Sequence, residues 1–397
     1  MFRELTLTLE FPYLHARYEN DAVTAPLPLA LEDSLMLQML DDLDRYLPAA
    51  RDRLLVLFGQ QLFDAIIPAE VQPLYQRALR EQRLTARAAL RIRIVASDLQ
   101  LLTLPWELLY DAPQAVFLST AFETTIVRTV ARVQPGEVLS PVSPLRLMLV
   151  GASPGDEPPL NYRPELEAIL EASGLVRAEV QTLEHATAPR LREGLRDFRP
   201  HIIHFMGHGY CEDAEVGIRL EDRYGRTHPV SAAQLADWLW PAEPRLVILN
   251  ACESGRLHLA ERRGSLAAIL LARGIPAVVA MQHRIPDQAG VVFGKALFEA
   301  LCQGTPLEQA VQAGRYALQL EGGRVQRHFA TPVLYLAMGS GGQLFSTPGK
   351  NAPAQKVRMR NPFLYLNSFT QDERALFFGR FKAIEALVSR IAAHRML

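Results

Sequence analysis

Residues 201–209 read HIIHFMGHG and residues 245–255 read RLVILNACESG, and the fold turns on these two stretches. Each is a short, nearly continuous apolar run that ends in polar and glycine residues. Runs of that length, closed by turn-forming residues, fit strands buried on both faces, as in a parallel sheet. Working outward, LRLMLVGA from Leu145, Ala178–Leu183 and PAVVAM from Pro276 read as further strands. Between them Glu165–Ser173, Pro189–Phe198, Ser231–Trp240 and Ser265–Arg273 read as helices, with Ser231 a capping residue. Strands alternating with helices predict right-handed crossovers and a mainly parallel sheet covered on both faces.

Toward the N-terminus the pattern changes. Leu5–Phe11 and Tyr13–Tyr18 alternate around Pro12 as a short hairpin, and Leu31–Arg83 carries apolar residues at helical spacing for two or three helices. ALRIRIVAS from Ala89 alternates as a strand. LPWELLYD follows at Leu104–Asp111, where Trp106 reads as a core aromatic beside a satisfied acid, Glu107. Gln134–Pro144 holds three prolines and one glycine with little periodicity, the best internal boundary. The expected division is an α+β region over 1–140, an α/β domain over 145–345, and a linker with a further module over 346–397.

The bulk numbers agree with a folded chain. At 397 residues and 49% hydrophobic content, two domains are expected and disorder is not. Formal net charge is −1, from 42 basic and 43 acidic residues, so no strong field draws in nucleic acid or an anionic membrane. Three cysteines are too few for a disulfide framework and suit a reducing cytoplasm. MFRELTLTLEF lacks the pattern of a signal peptide, and no apolar run is long enough to span a bilayer, so a soluble, cytoplasmic protein is expected.

Functional groups gather at the carboxyl edge of such sheets. There His208 stands between two glycines, and Cys252 follows a buried strand where a helix N-terminus or an imidazolium favours its thiolate. They are 252 − 208 = 44 residues apart, close to the roughly 50 by which the histidine precedes the cysteine in caspases. Taken singly, Cys252 reads as a small buried hydrophobe and His208 as a turn residue; taken together, each at a strand end with glycine-bearing flanks, they read as a nucleophile and its base.

These two blocks resemble the signatures of the CHAT family, caspase- and separase-like cysteine proteases of bacterial conflict systems. The resemblance extends to LPWELLYD and to Leu270–Leu318, and covers roughly 280 residues between Phe58 and Met338. It implies a caspase-like three-layer α/β sandwich with a mainly parallel sheet, preceded by an α+β caspase-related region. It also implies catalysis by His208 and Cys252, with the backbone N–H groups of Gly209 and Cys252 as oxyanion donors. Separase-like enzymes carry an acid downstream that pairs with a basic substrate residue. Asp287 matches it, with Glu253 a weaker match; Asp287 equally reads as a cap for a helix starting near Gln288. Where relatives often carry tryptophan after Met281 this chain has Gln282, a departure that bears on the substrate pocket.

Other chemistries fail on spacing. His201, His204 and His208 do not make a metal site, because strand alternation sends the first two to opposite faces. GVVFGKA at Gly290–Ala296 has Ala289 where a P-loop needs glycine, and there is no G-x-S-x-G elbow. No cofactor is implied. Asn367–Ala393, with its FFGR text, resembles the entry segment of STAND-type NTPases. The expected function is a cysteine endopeptidase acting on a protein substrate, a regulated effector in bacterial defence or cell death with a sensor module or partner protein. The alternative is a catalytically silent interaction or sensor module.

Overall fold

The computed structural model describes residues 3–28, 48–85, 89–131, 144–173, 178–212, 215–251, 265–283, 285–321 and 327–337. Cys252, Glu253 and the segment after residue 346 expected to resemble an NTPase lie outside the described residues, as do residues 31–47 of the helical stretch expected over Leu31–Arg83.

The N-terminal hairpin forms as β1 (Arg3–Glu10) and β2 (Tyr13–Tyr18), continued by β3 (Asp21–Pro26). Alternation decides its faces, since Leu5, Leu7 and Leu9 are buried while Glu4 and Thr6 point the other way. Helices α1 (Pro48–Ile66) and α2 (Gln72–Thr85) follow, then β4 (Leu90–Ala96). After α3 (Leu99–Thr103), a short turn of helix at Trp106–Leu108 leads to the small hairpin β5 (Tyr110–Asp111) and β6 (Val116–Phe117), and then to β7 (Thr124–Val130).

The second half alternates as read. β8 (Leu145–Gly151), α4 (Arg163–Ser173), β9 (Ala178–Leu183) and α5 (Ala188–Phe198) precede β10 (Ile202–Glu212). A hairpin, β11 (Glu215–Glu221) and β12 (Thr227–Ser231), then leads into α6 (Ala232–Leu239), where Ser231 and Gln234 form a reciprocal capping box. β13 (Leu246–Ala251), α7 (Leu266–Ala272), β14 (Ala277–Met281), α8 (Asp287–Cys302), α9 (Leu307–Glu321) and β15 (Pro332–Leu336) complete it.

Among the described residues, thirteen strands make one sheet, in the order β12-β11-β10-β13-β14-β15-β7-β4-β1-β2-β3, with β8 also on β10 and β9 on β8. Strands from both sides of the Gln134–Pro144 stretch therefore share it, joined where β15 runs parallel to β7 at Tyr335 and Arg128. The pairings β9-β8-β10-β13-β14 and β15-β7-β4-β1 are parallel, whereas β14-β15 and the strands at the two outer hairpins are antiparallel. One face packs against α1, α2, α5, α6 and α7 and the other against α4, α8 and α9, which makes three layers. The architecture is the expected α/β class.

Glu107 is the satisfied acid that LPWELLYD implied. It is fully buried, pairing with Arg128 and, at 3.1 Å, with Arg315, while Gln282 Nε2 donates to it at 3.2 Å. Gln282 thus faces this buried cluster, on the opposite side of β14 from Met281, so the departure from tryptophan changes the core and not the cleft described below.

Candidate active site

β10 and β13 lie side by side in parallel, from Ile202 opposite Leu246 to Gly207 opposite Ala251. The next residues in sequence are His208 and Cys252. β10 does not stop at Gly207, as its glycines predicted, but runs on to Glu212 because its outer edge exchanges one partner for another: β8 pairs Ile202–Met206 and β11 pairs His208–Glu212. Gly207 makes the exchange feasible. A Cβ there would stand 2.5 Å from the Phe205 ring and 3.1 Å from the Ala152 carbonyl oxygen.

His208 is half-buried, and its Nε2 lies 2.9 Å from the Pro158 carbonyl oxygen. A carbonyl only accepts, so Nε2–H donates and Nδ1 is the nitrogen left to take a proton. A base oriented by a third group is what an activated nucleophile needs. Pro158 sits on the segment after β8, and that segment is pinned from several directions. Gly155 N–H donates to the Gly225 carbonyl at 2.8 Å, Glu157 pairs with Arg219, and Leu160 N–H donates to Ser153 Oγ at 3.1 Å. Asp156 accepts from both the hydroxyl and the amide of Thr227, which hold its carboxyl below the usual range. The β11-β12 hairpin therefore acts as a brace for the histidine's partner, and Arg219 stands directly across from His208 in the β10-β11 register.

Gly209 is opposite Ile218 in the same pairing. Beside these strand ends a small cleft is lined by Asn161, Glu165, Gly207, Asn250, His283 and Asp287, among others. Asp287 is exposed and is itself the first residue of α8, with Pro286 in the capping position; its Oδ2 accepts from Asn161 N–H at 3.2 Å. The cap-residue alternative is thereby replaced by a contact to the segment that carries Pro158.

The three histidines of HIIHFMGHG go to three different partners. His201 Nδ1 accepts from Arg146 N–H at 3.0 Å, and burial together with Arg146 and Arg245 pushes its pKa down to about 4. His204 Nε2 is 2.7 Å from Glu165 Oε1, and Asn250 Nδ2 donates to Glu165 Oε2 at 2.6 Å. Among the described residues no three His, Cys, Asp or Glu side chains converge on a metal position, and no helix is long and apolar enough to cross a membrane. Pro158, Glu165 and Asn250 were not singled out by sequence. A backbone carbonyl carries no residue-type signal, and Glu165 looks like an ordinary first-turn acid of a helix.

A comparison with curated protein sequences finds no match. Among solved structures, the chain is similar to a chain of the Saccharomyces cerevisiae separase–securin complex, at 11% identity and a TM-score of 0.49, over 85% of this chain and 30% of that one. A second structure of that complex gives 0.48 with the same identity and coverage. The Drosophila initiator caspase Dronc is similar over 53% of this chain and 86% of its own, at 11% identity and a TM-score of 0.36. This chain thus spans less than a third of the length of the separase-complex chain. Residues 57–339, more than two thirds of the sequence, match the CHAT domain, and the protein therefore belongs to the CHAT-domain family.

Proposed function

We propose that this protein is a cysteine endopeptidase working through Cys252 and His208. The observation that carries the reading is the parallel register of β10 and β13, which end their pairing at Gly207 and Ala251, one residue short of the histidine and the cysteine, with His208 Nε2–H already committed to Pro158. In the proposed reaction the Cys252 thiolate attacks the scissile carbonyl carbon. The C–N bond then breaks as His208 delivers a proton to the leaving amine, and water hydrolyses the thioester to release the carboxylate and restore the thiol. Backbone N–H groups of Gly209 and Cys252 would hold the oxyanion, each worth about a hundredfold or more in rate.

Asp287, on the wall of the cleft next to Gly207, is proposed to receive the side chain preceding the cut, with Glu253 as a further acid of the same kind. A carboxylate there selects Arg over Lys, because a guanidinium pairs in two places. The domain division is proposed as residues 1–140 framing the protease over 145–345, with a linker and the start of an NTPase-like module over 346–397. Family membership supports a regulated effector role in bacterial defence or cell death, in the cytoplasm, on a protein substrate.

The test is cleavage of a proteome-derived peptide library by the full chain and by Cys252→Ala and His208→Ala. Each variant is expected to lose cleavage almost completely while keeping its fold, and the double variant to lose little more, because a catalytic pair is not additive. Cleavage retained by Cys252→Ala, or no cleavage by the wild type under any condition, would leave the caspase-like fold as an interaction scaffold.

A further inference from the structure

We propose that Glu165 is a positioning residue for this site, its carboxylate tying β10, which carries His208, to β13, which leads in sequence to Cys252. The inference rests on the protease reading above and adds to it a residue that neither the motifs nor the family blocks mark.

The geometry is a bridge. One oxygen of Glu165 takes His204 of β10 at 2.7 Å and the other takes Asn250 of β13 at 2.6 Å. In the β10-β13 register Met206 faces Asn250 and His204 faces Ile248, so the two partners sit diagonally on one face of adjacent strands. Alternation puts His204, Met206 and His208 on that same face of β10. The bridge therefore spans the two strands four residues before the histidine and two before the cysteine.

The surroundings are shaped for the carboxylate. Glu165 is 4% exposed in a layer otherwise built of apolar residues such as Leu149, Ile169, Met281 and Phe298. Helix α8 crosses it with glycines. A Cβ at Gly290 would lie 2.7 Å from Asn250 Nδ2 and 3.0 Å from Glu165 Oε2, and one at Gly294 would lie 3.4 Å from Glu165 Oε1. Burying a carboxylate is costly, and an apolar side chain of similar volume usually stabilises such a layer at least as well. A buried acid that bridges the two strands at the site, with one edge on the cleft wall, is better explained by the alignment it imposes than by stability. Alignment matters because misplacing reacting groups by about 1 Å can cost on the order of a hundredfold in rate.

The test uses the full chain and the peptides that the wild type cleaves, with Glu165→Gln and Asn250→Ala as variants and kcat, KM and thermal midpoint read for each. Glu165→Gln is expected to lower kcat by roughly tenfold to a hundredfold with KM within about twofold. The loss should be the same whatever residue precedes the cut. Asn250→Ala, which frees only the β13 end of the bridge, should lower kcat in the same way while the protein stays folded at the assay temperature. Wild-type kcat in either folded variant overturns the proposal. So does a rise in KM confined to peptides with Arg or Lys before the cut, which would make Glu165 a substrate-binding wall. If Glu165→Gln does not fold, Asn250→Ala decides. Failure of the protease reading shows itself separately, as wild-type and Cys252→Ala proteins that cleave nothing in common conditions, and it takes this inference with it.

Discussion

Two buried carboxylates in this molecule are held in opposite ways. Glu107 lies against two guanidiniums, those of Arg128 and Arg315, at the seam where the N-terminal strands join the C-terminal ones. Glu165 lies against a histidine and an amide at the strand ends beside the cleft. The first is neutralised by charges from both halves of the chain, Arg128 on β7 and Arg315 on α9, and also meets Gln282 after β14, so it acts as a cross-link. Among the described residues the second has only an imidazole and an amide as donors, and it touches β10, which carries His208, and β13, which leads in sequence to Cys252. Burial of charge thus serves cohesion at one place and alignment at the other.

Breaking the first cluster should have the largest effect on stability. Glu107→Ala strands two buried arginines and is expected to cost about 3–5 kcal/mol, read as a lower denaturant midpoint at unchanged slope. A change below about 1 kcal/mol would show that the cluster contributes little, and would erase the contrast with Glu165, whose conservative variant is expected to act chiefly on kcat.

A smaller and more selective effect is expected at the rim of the cleft. Asp287→Asn should reduce cleavage after Arg by about tenfold or more through loss of a charge-assisted hydrogen bond. Cleavage after other residues and modification of Cys252 by a thiol reagent should be unaltered. An unchanged cleavage profile in Asp287→Asn, or a wild-type profile dominated by apolar or acidic residues, would remove Asp287 from the pocket and sharpen the distinction between aligning and recognising acids.

The smallest effect concerns the far end of β10. His201 has its pKa lowered to about 4 by burial, Arg146 and Arg245, against about 6.5 when unfolded. The unfolded chain therefore binds the extra proton first, and the stability from neutral His201 is fully present above pH 6.5 and lost as pH falls toward 4. His201→Gln should flatten the decline of stability across that window. An unchanged slope would place the acid sensitivity elsewhere.

The strands that position the site were legible because they are buried on both faces and so appear as nearly continuous apolar runs, as in Leu246–Leu249 and, around His204, Ile202–Met206. The sharing of one sheet by both halves was not. Its joining strand β7, TTIVRTV, is entirely buried yet half polar, since Thr129 and Arg128 find partners at the Leu336 carbonyl, the Leu102 carbonyl and Glu107. Those partners are distant in sequence, so no local pattern announces them. His208 was marked by its flanking glycines, whereas the Pro158 carbonyl that orients it is a backbone group, and Glu165 becomes distinctive only when β10 and β13 are brought under one helix.

The central claim is that His208 activates Cys252, and the most direct measurement is the rate of iodoacetamide modification of each cysteine in the full chain, mapped by peptide mass spectrometry. Cys302 is an internal standard, because burial and Glu299 push its thiol up to about 11 and keep it protonated near neutral pH. The account predicts that Cys252 reacts much faster than Cys302 and that His208→Ala lowers the Cys252 rate while leaving the Cys302 rate unchanged. A Cys252 rate that is no faster than that of Cys302, or that is unaffected by His208→Ala, would contradict it.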